Sequence, residues 1–358
     1  MNESPVQRVA IVGTGVIGAS WAAHFLAHGL DVVATDPAPG AESQLRAEVQ
    51  ACWPLLEQLG LADGASPDRL SFTPDPAAAV ADADFVQENG PEREDVKHAL
   101  FDVLDGAAAP GVVLASSSSG LLPSAIARGC SRHPERVLIG HPFNPPHLIP
   151  LVEVVPGEKT SAEAATAAMA FYTAVGKRPI LLRRELPGHV ANRLQAALWR
   201  EAYSLVERGI ASVSDIDTAI SQGPGLRWAV LGPFVNQHLS GGPGGLAHVL
   251  EHLGPPMVEW WQDLGHPQLT PELAELLVAG VEEECGLVLD LHLYGAGDDV
   301  ADFFAGVGVP ARGDPDGNLG TDLDHFATGD RQWAALDLGA LQCCRERVGR
   351  LRLVAGVG

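Results

Sequence analysis

Two hydrophobic periodicities divide the chain. Residues 8–12, "RVAIV", are a continuous apolar run, the pattern of a strand buried on both faces of a parallel sheet. A glycine-rich turn, "GTGVIG", and a helical pattern to about residue 29 follow. "DVVATD" predicts a second strand, residues 41–59 a helix, "ADFVQEN" a strand and "REDVKHALFDVLDGA" a helix. Further strands are expected at "GVVLASSSS", "RVLIGH", "LIPLVEVVPG" and "KRPILL". A helix entered through Ser161 and closed by Gly176 separates the last two. Alternating strands and helices of this kind predict an open, doubly wound α/β sheet over residues 1–187.

After "LPGH" the period changes. Leu194, Leu198, Ala202, Leu205 and Val206 fall on one helical stripe. "SVSDIDTAIS" reads as a short capped helix, and residues 243–283 keep a helical period without a good strand. An all-α domain is therefore expected over 188–285. Residues 286–358 are Gly- and Asp-rich and carry no assignable period. "DPDGNLGTDLD" has the look of a calcium loop, but Leu319 stands where the loop glycine belongs and no glutamate closes it. It reads as a solvated acidic loop, and no metal site is expected.

Charge and composition narrow the function classes. A formal net charge of −22 argues against nucleic acid and anionic membrane surfaces as partners. The start, "MNESPVQRVAIVG", has neither a basic leader nor a long apolar run, so no signal peptide or spanning helix is expected. Five scattered cysteines, none in a Cys-x-x-Cys pair, suit free thiols in a reducing cytoplasm.

The chemistry concentrates at strand ends. Gly13, Gly15 and Gly18 form a G-x-G-x-x-G between a strand and a helix, with Val16 and Ile17 opening that helix. Such a turn lets backbone approach a pyrophosphate at a helix N-terminus, the mark of a Rossmann-type dinucleotide site. Asp36 closes the second strand, where a carboxylate accepts from ribose hydroxyls and repels a 2′-phosphate, which predicts NAD over NADP. His141 ends one strand, and Glu153 lies twelve residues on, inside the next apolar run. A histidine is a suitable base for an alcohol proton near neutral pH, and a buried carboxylate can fix its tautomer. Ser116 to Ser119 and Asn192 offer groups to hold a substrate oxygen.

The motifs "VAIVGTGVIGASWAAHFLAHGLDVVATDP", "QENGPERED", "SSSSGLLPS", "GHPFNPPHLIPLVEVVPG", "ANRLQAALWREAYSLVERGI" and "GPGLRWAVLGP" carry a resemblance over about residues 6–285. The chain resembles the 3-hydroxyacyl-CoA dehydrogenase superfamily. Within it, the chain looks most like the branch holding L-carnitine 3-dehydrogenase and lambda-crystallin, an L-gulonate dehydrogenase. The resemblance implies His141 as base, Glu153 as its partner, Ser119 as ligand of the substrate hydroxyl (Ser118 if the register is off by one) and Asn192 as an orienting residue. It implies cofactor contacts from Asp36, Glu92, Lys97 and Asn144, with Ser119 shared, and a homodimer built through the helical domain.

The substrate is less constrained. Coenzyme A binding recruits lysine or arginine. The segment after the second strand, lysine-rich in acyl-CoA members of the family, has here only Arg46 and Arg69. Arg227 and Trp228 in "GPGLRW" could receive a carboxylate and an aromatic-bound cation, with Trp260 and Trp261 as further aromatic surface. The expected activity is NAD-dependent oxidation of a small, carnitine-like 3-hydroxy acid. The alternatives are an L-3-hydroxyacyl-CoA such as 3-hydroxybutyryl-CoA, or a non-catalytic NAD-binding structural protein. "VLGPFVNQHLSGGPGG", with its Gly-Pro-Phe turn, is more like the acyl-CoA members.

Overall fold

A computed structural model describes residues 6–292 of the chain. The first half runs β1 Arg8–Val12, α1 Val16–Ala27, β2 Asp31–Thr35, α2 Ala41–Leu59, β3 Leu70–Phe72, α3 Pro76–Val80, β4 Phe85–Glu88 and α4 Glu94–Ala107. It continues with β5 Val113–Ser116, α5 Pro123–Ile126, β6 Val137–Pro142, β7 Leu151–Pro156, α6 Ala162–Ala174 and β8 Arg178–Leu181. The eight strands form one sheet in the order β3-β2-β1-β4-β5-β6-β7-β8. Chain order reverses between β1 and β4, the switch point where open α/β sheets bind ligands beyond their carboxyl ends.

Alternation within the strands explains why both faces are covered. Val9 and Ile11 of β1 enter a core with Trp21, Phe25 and Phe171, whereas Ala10 and Val12 enter a second core with Phe101 and Leu104. Each large side chain so buried contributes about 1.5–3 kcal/mol. β1 and α2 fall on the residues the pattern marks. Ser161 caps α6 through a bond from Ala164 N, and Gly176 beyond its end takes φ +77°.

One departure matters for function. The alternation predicts parallel neighbours, but no helix separates "RVLIGH" from "LIPLVEVVPG", and β6 and β7 pair antiparallel. That hairpin sets His141 directly opposite Glu153. Opposed residues of an antiparallel pair share a face, so the spacing of twelve places both side chains together. The pattern also passed over β3 and α3, which are too short to show a period.

The chain divides into two compact units after Arg193. The second holds most of α7 Ala191–Glu207, then α8 Val213–Ser221, α9 Pro224–Trp228, α10 Pro233–Ser240, α11 Gly245–Asp263 and α12 Pro271–His292. A capping box between Ser212 and Asp215 starts α8. Many large apolar side chains of this unit are exposed, among them Leu194, Leu198, Trp199, Phe234, Trp260 and Trp261. The acidic loop at "DPDGNLGTDLD" lies outside the described residues.

Candidate active site

The glycine turn forms a cradle. Gly13 has φ +89°, and a Cβ there would stand 2.9 Å from the Asn89 backbone. A Cβ on Gly18 would lie 1.9 Å from the Gly13 carbonyl, so only glycine lets α1 start this close to β1. Gly15 faces open space instead. It caps α1 without a side-chain hydrogen bond, which leaves the first helical N–H groups for an anion. Asp36 braces the turn: it accepts from Thr14 N at 2.8 Å, Thr14 Oγ1 at 3.2 Å and Ala38 N at 2.9 Å. The cradle and carboxylate fit the pyrophosphate and ribose of NAD.

His141 and Glu153 form a buried pair, 6 % and 0 % exposed. His141 Nδ1 lies 2.9 Å from Glu153 Oε2. Glu153 Oε1 accepts from Val190 N at 2.9 Å and Ala191 N at 3.0 Å, where α7 begins. Burial alone would raise the Glu153 pKa, but the bonds from His141, Ala191 and Val190 outweigh it and hold the carboxyl below its ordinary value. A carboxylate can only accept, so Nδ1 carries the proton and Nε2 is left as the basic atom.

The serine run is sorted by its partners. Ser116 Oγ donates to Glu88 Oε2 at 2.6 Å, Ser117 Oγ to Asn89 Oδ1 at 2.7 Å and Ser118 Oγ to Glu92. Ser119 is exposed, and among the described contacts its hydroxyl has no partner. Glu92 also accepts from Gly120 N at 2.6 Å and Leu121 N at 3.0 Å, tying the loop after β4 to the loop after β5. Burial works to raise its pKa, and the bonds from Ser118, Gly120 and Leu121 bring it below the ordinary value.

Lys97 shows what the sequence could not. It is 1 % exposed, and its Nζ lies 2.7 Å from both Glu88 oxygens and 3.0 Å from the Gly90 carbonyl. Its donors are thus spent inside the fold, on the carboxylate at the end of β4. Asn144 is exposed in the loop between β6 and β7, and Asn192 is half-buried in the first turn of α7.

Arg227 and Trp228, at the end of α9, are exposed in the second unit. Arg227 has no ion pair among the described residues, with Asp217 or any other acid. Trp260 and Trp261 are exposed on α11. No group of three or more His, Cys, Asp or Glu among the described residues is arranged to hold a metal. No described helix is long and apolar enough to cross a membrane.

His189 carries no sequence signal beyond its place at the boundary. It is fully buried, has φ +48°, and its ring centroid lies 5.1 Å from that of His141. The only cue was a histidine after a glycine, immediately before the first helix of a new period.

Comparison with known proteins places the chain in a family. Residues 8–186 match the NAD-binding domain of 3-hydroxyacyl-CoA dehydrogenase, and residues 188–279 match its C-terminal domain. The chain is 54% identical to an L-carnitine dehydrogenase of Streptomyces coelicolor, over 78% of this chain and 87% of that one. It is 48% identical to an L-carnitine dehydrogenase of Bacillus cereus, over 79% of this chain and 87% of that one. Among solved structures, a 5-formyl-3-hydroxy-2-methylpyridine 4-carboxylic acid 5-dehydrogenase, an NAD+-dependent dismutase, is similar at TM-score 0.69 and 32% identity, covering 76% of this chain and 86% of that one. A 3-hydroxybutyryl-CoA dehydrogenase from Escherichia coli K12 is similar at TM-score 0.59 and 29% identity, covering 77% of this chain and 57% of that one. The chain belongs to the 3-hydroxyacyl-CoA dehydrogenase family and is an NAD-dependent dehydrogenase of 3-hydroxy substrates.

Proposed function

We propose that this enzyme oxidises a small, carnitine-like 3-hydroxy acid to its 3-keto form, with His141 as general base. The observation that carries the mechanism is the His141–Glu153 pair, whose bond at Nδ1 leaves Nε2 to receive the hydroxyl proton. Bound NAD would supply the hydride acceptor for the carbon that bears the hydroxyl. Glu153 holds the imidazole in one tautomer and stabilises its charged form. Ser119 holds the substrate oxygen, a role supported by its exposed hydroxyl, which has no partner among the described residues. Asn192 orients the same oxygen from the first turn of α7. Gly13 to Gly18 and Asp36 hold the cofactor, with Asn144 and Glu92 completing its contacts. Lys97 serves it by anchoring the Gly90–Glu92 loop through Glu88 and the Gly90 carbonyl.

Two observations support a free acid over a coenzyme A ester. Arg46 and Arg69, the cations between β2 and β3, are paired with Glu42 at 2.8 Å and Asp31 at 3.0 Å. Arg227 remains unpaired among the described residues and is suited to a substrate carboxylate, with Trp228 as an aromatic face for a quaternary ammonium. The high identity to L-carnitine dehydrogenases supports the same choice. The exposed apolar side chains of the helical unit support a homodimer formed through it. Sedimentation should then give twice the chain mass. NADH formation across carnitine, gulonate, 3-hydroxybutyrate and 3-hydroxybutyryl-CoA tests the substrate. The highest kcat/KM should belong to a free acid. Turnover of the CoA ester alone would reject the proposal, and turnover of none would favour a structural NAD-binding role.

A further inference from the structure

We propose that His189 is a positioning residue that locks the Ser118–Ser119 segment to the His141–Glu153 pair and so sets the place of the Ser119 hydroxyl. The proposal rests on the reading of Ser119 as substrate ligand. Four observations carry it. The His189 side chain is fully buried, and its Nε2 lies 3.1 Å from the Ser118 carbonyl oxygen. A carbonyl only accepts, so Nε2 must donate, and the proton sits on that nitrogen. Nδ1 is then a lone-pair acceptor, buried and without a partner among the described residues. The ring packs against His141 at 5.1 Å between centroids, and His141 packs in turn on Phe143 at 5.4 Å.

The backbone makes the same connection. Gly188 and His189 take φ +73° and +48° in succession. Left-handed φ is uncommon for a residue that carries a Cβ. It turns the chain so that Val190 N and Ala191 N, the next two amides, reach Glu153 Oε1. One residue therefore touches the serine loop through its ring nitrogen, the base through a tilted ring contact, and the carboxylate through the amides that follow it. A strained conformation and an orphaned buried nitrogen are both costly, and such costs persist where geometry is held for function. A phenylalanine would fill the same space without the orphan, but it could not hold Ser118.

The test compares His189→Phe, which keeps the ring and loses the donor, with His189→Gln, whose amide nitrogen can replace Nε2–H. Each is made in the wild-type chain and in Ser119→Ala, and kcat, KM, NADH affinity and melting temperature are measured. His189→Phe should lower kcat/KM at least about tenfold with NADH affinity unchanged. His189→Gln should recover most of the loss, and the effect of His189→Phe should vanish in the Ser119→Ala background. Full activity in His189→Phe, or an equal loss in both Ser119 backgrounds, would overturn the proposal. Nitrogen-15 spectra of the wild-type imidazole give a readout free of turnover. The proposal requires the proton on Nε2 of His189, and a proton on Nδ1 would refute it even if a variant failed to fold. A wild type inactive on every 3-hydroxy substrate would instead defeat the functional reading and leave the tautomer result standing.

Discussion

Replacing Glu153 with glutamine removes one charge and changes almost no volume, so its consequences separate chemistry from packing. Glu153 accepts three hydrogen bonds: from His141 Nδ1 at 2.9 Å, Val190 N at 2.9 Å and Ala191 N at 3.0 Å. The glutamine carbonyl can keep the two amides. Its NH2 then faces His141 Nδ1, and only a lone pair on that nitrogen can receive it. The imidazole proton is forced to Nε2, where the base is needed. The corresponding carboxylate-to-amide change in a Ser-His-Asp triad costs about 10⁴ in kcat, or about 5 kcal/mol at 1.36 kcal/mol per tenfold. A loss of about 10²–10⁴ in kcat is expected here. Stability changes less. All three charge-assisted bonds become neutral ones, a loss of about 1–3 kcal/mol, which for a unit of this size lowers Tm by roughly 2–12 °C. The depressed Glu153 pKa means that its ionised form stabilises the fold. That contribution is present above the unfolded value near 4.5 and is lost as pH falls through the lower folded value. The variant should therefore lose part of the wild type's acid-dependent stability. Stopped-flow absorbance at saturating NAD reads the catalytic effect, and calorimetry at pH 7 and pH 4 reads the other. Turnover within threefold of wild type would refute the tautomer reasoning.

Asp36→Ala should weaken NAD about tenfold or more and narrow the preference over NADP, because the carboxylate holds Thr14 and Ala38 and is proposed to meet the ribose; equal use of NADP by the wild type would refute it. Arg227→Lys should raise KM for a free 3-hydroxy acid by roughly 10- to 150-fold with Tm unchanged; early melting with unchanged KM would make the arginine structural. Lys177 is buried and donates to the Pro146 and Ile149 carbonyls, in the loop between the strands of His141 and Glu153. Burial pushes its ammonium down to about 7 from 10.5. The unfolded chain binds more protons between those values, so wild-type stability relative to Lys177→Met should grow as pH rises from 7 to 10. A difference independent of pH, measured by denaturant unfolding, would refute that assignment.

Much of the Rossmann sheet could be read from the sequence because its strands are apolar on both faces and its helices carry a clear period. Antiparallel β7 could not be read, since an apolar strand looks the same in either direction. The dyad was approachable because its two residues share one hairpin. In the serine run, residue type alone could not separate four identical hydroxyls, whereas the fold commits Ser116, Ser117 and Ser118 to carboxylate or amide partners. The Glu88–Lys97 pair stayed hidden because the resemblance gives Lys97 as a cofactor contact, and only the fold encloses its ammonium against Glu88. His189 was hidden for a similar reason: its backbone conformation and its approach to Ser118 are tertiary facts.

The most direct measurement is the pre-steady-state burst of NADH from wild type and His141→Ala, at saturating NAD and the preferred 3-hydroxy acid, with NAD affinity measured in parallel. Loss of the base should slow the burst by about 10²–10⁴ while NAD affinity stays within about twofold. A burst of undiminished rate in His141→Ala, with NAD bound, would contradict the assignment of His141 as the proton acceptor.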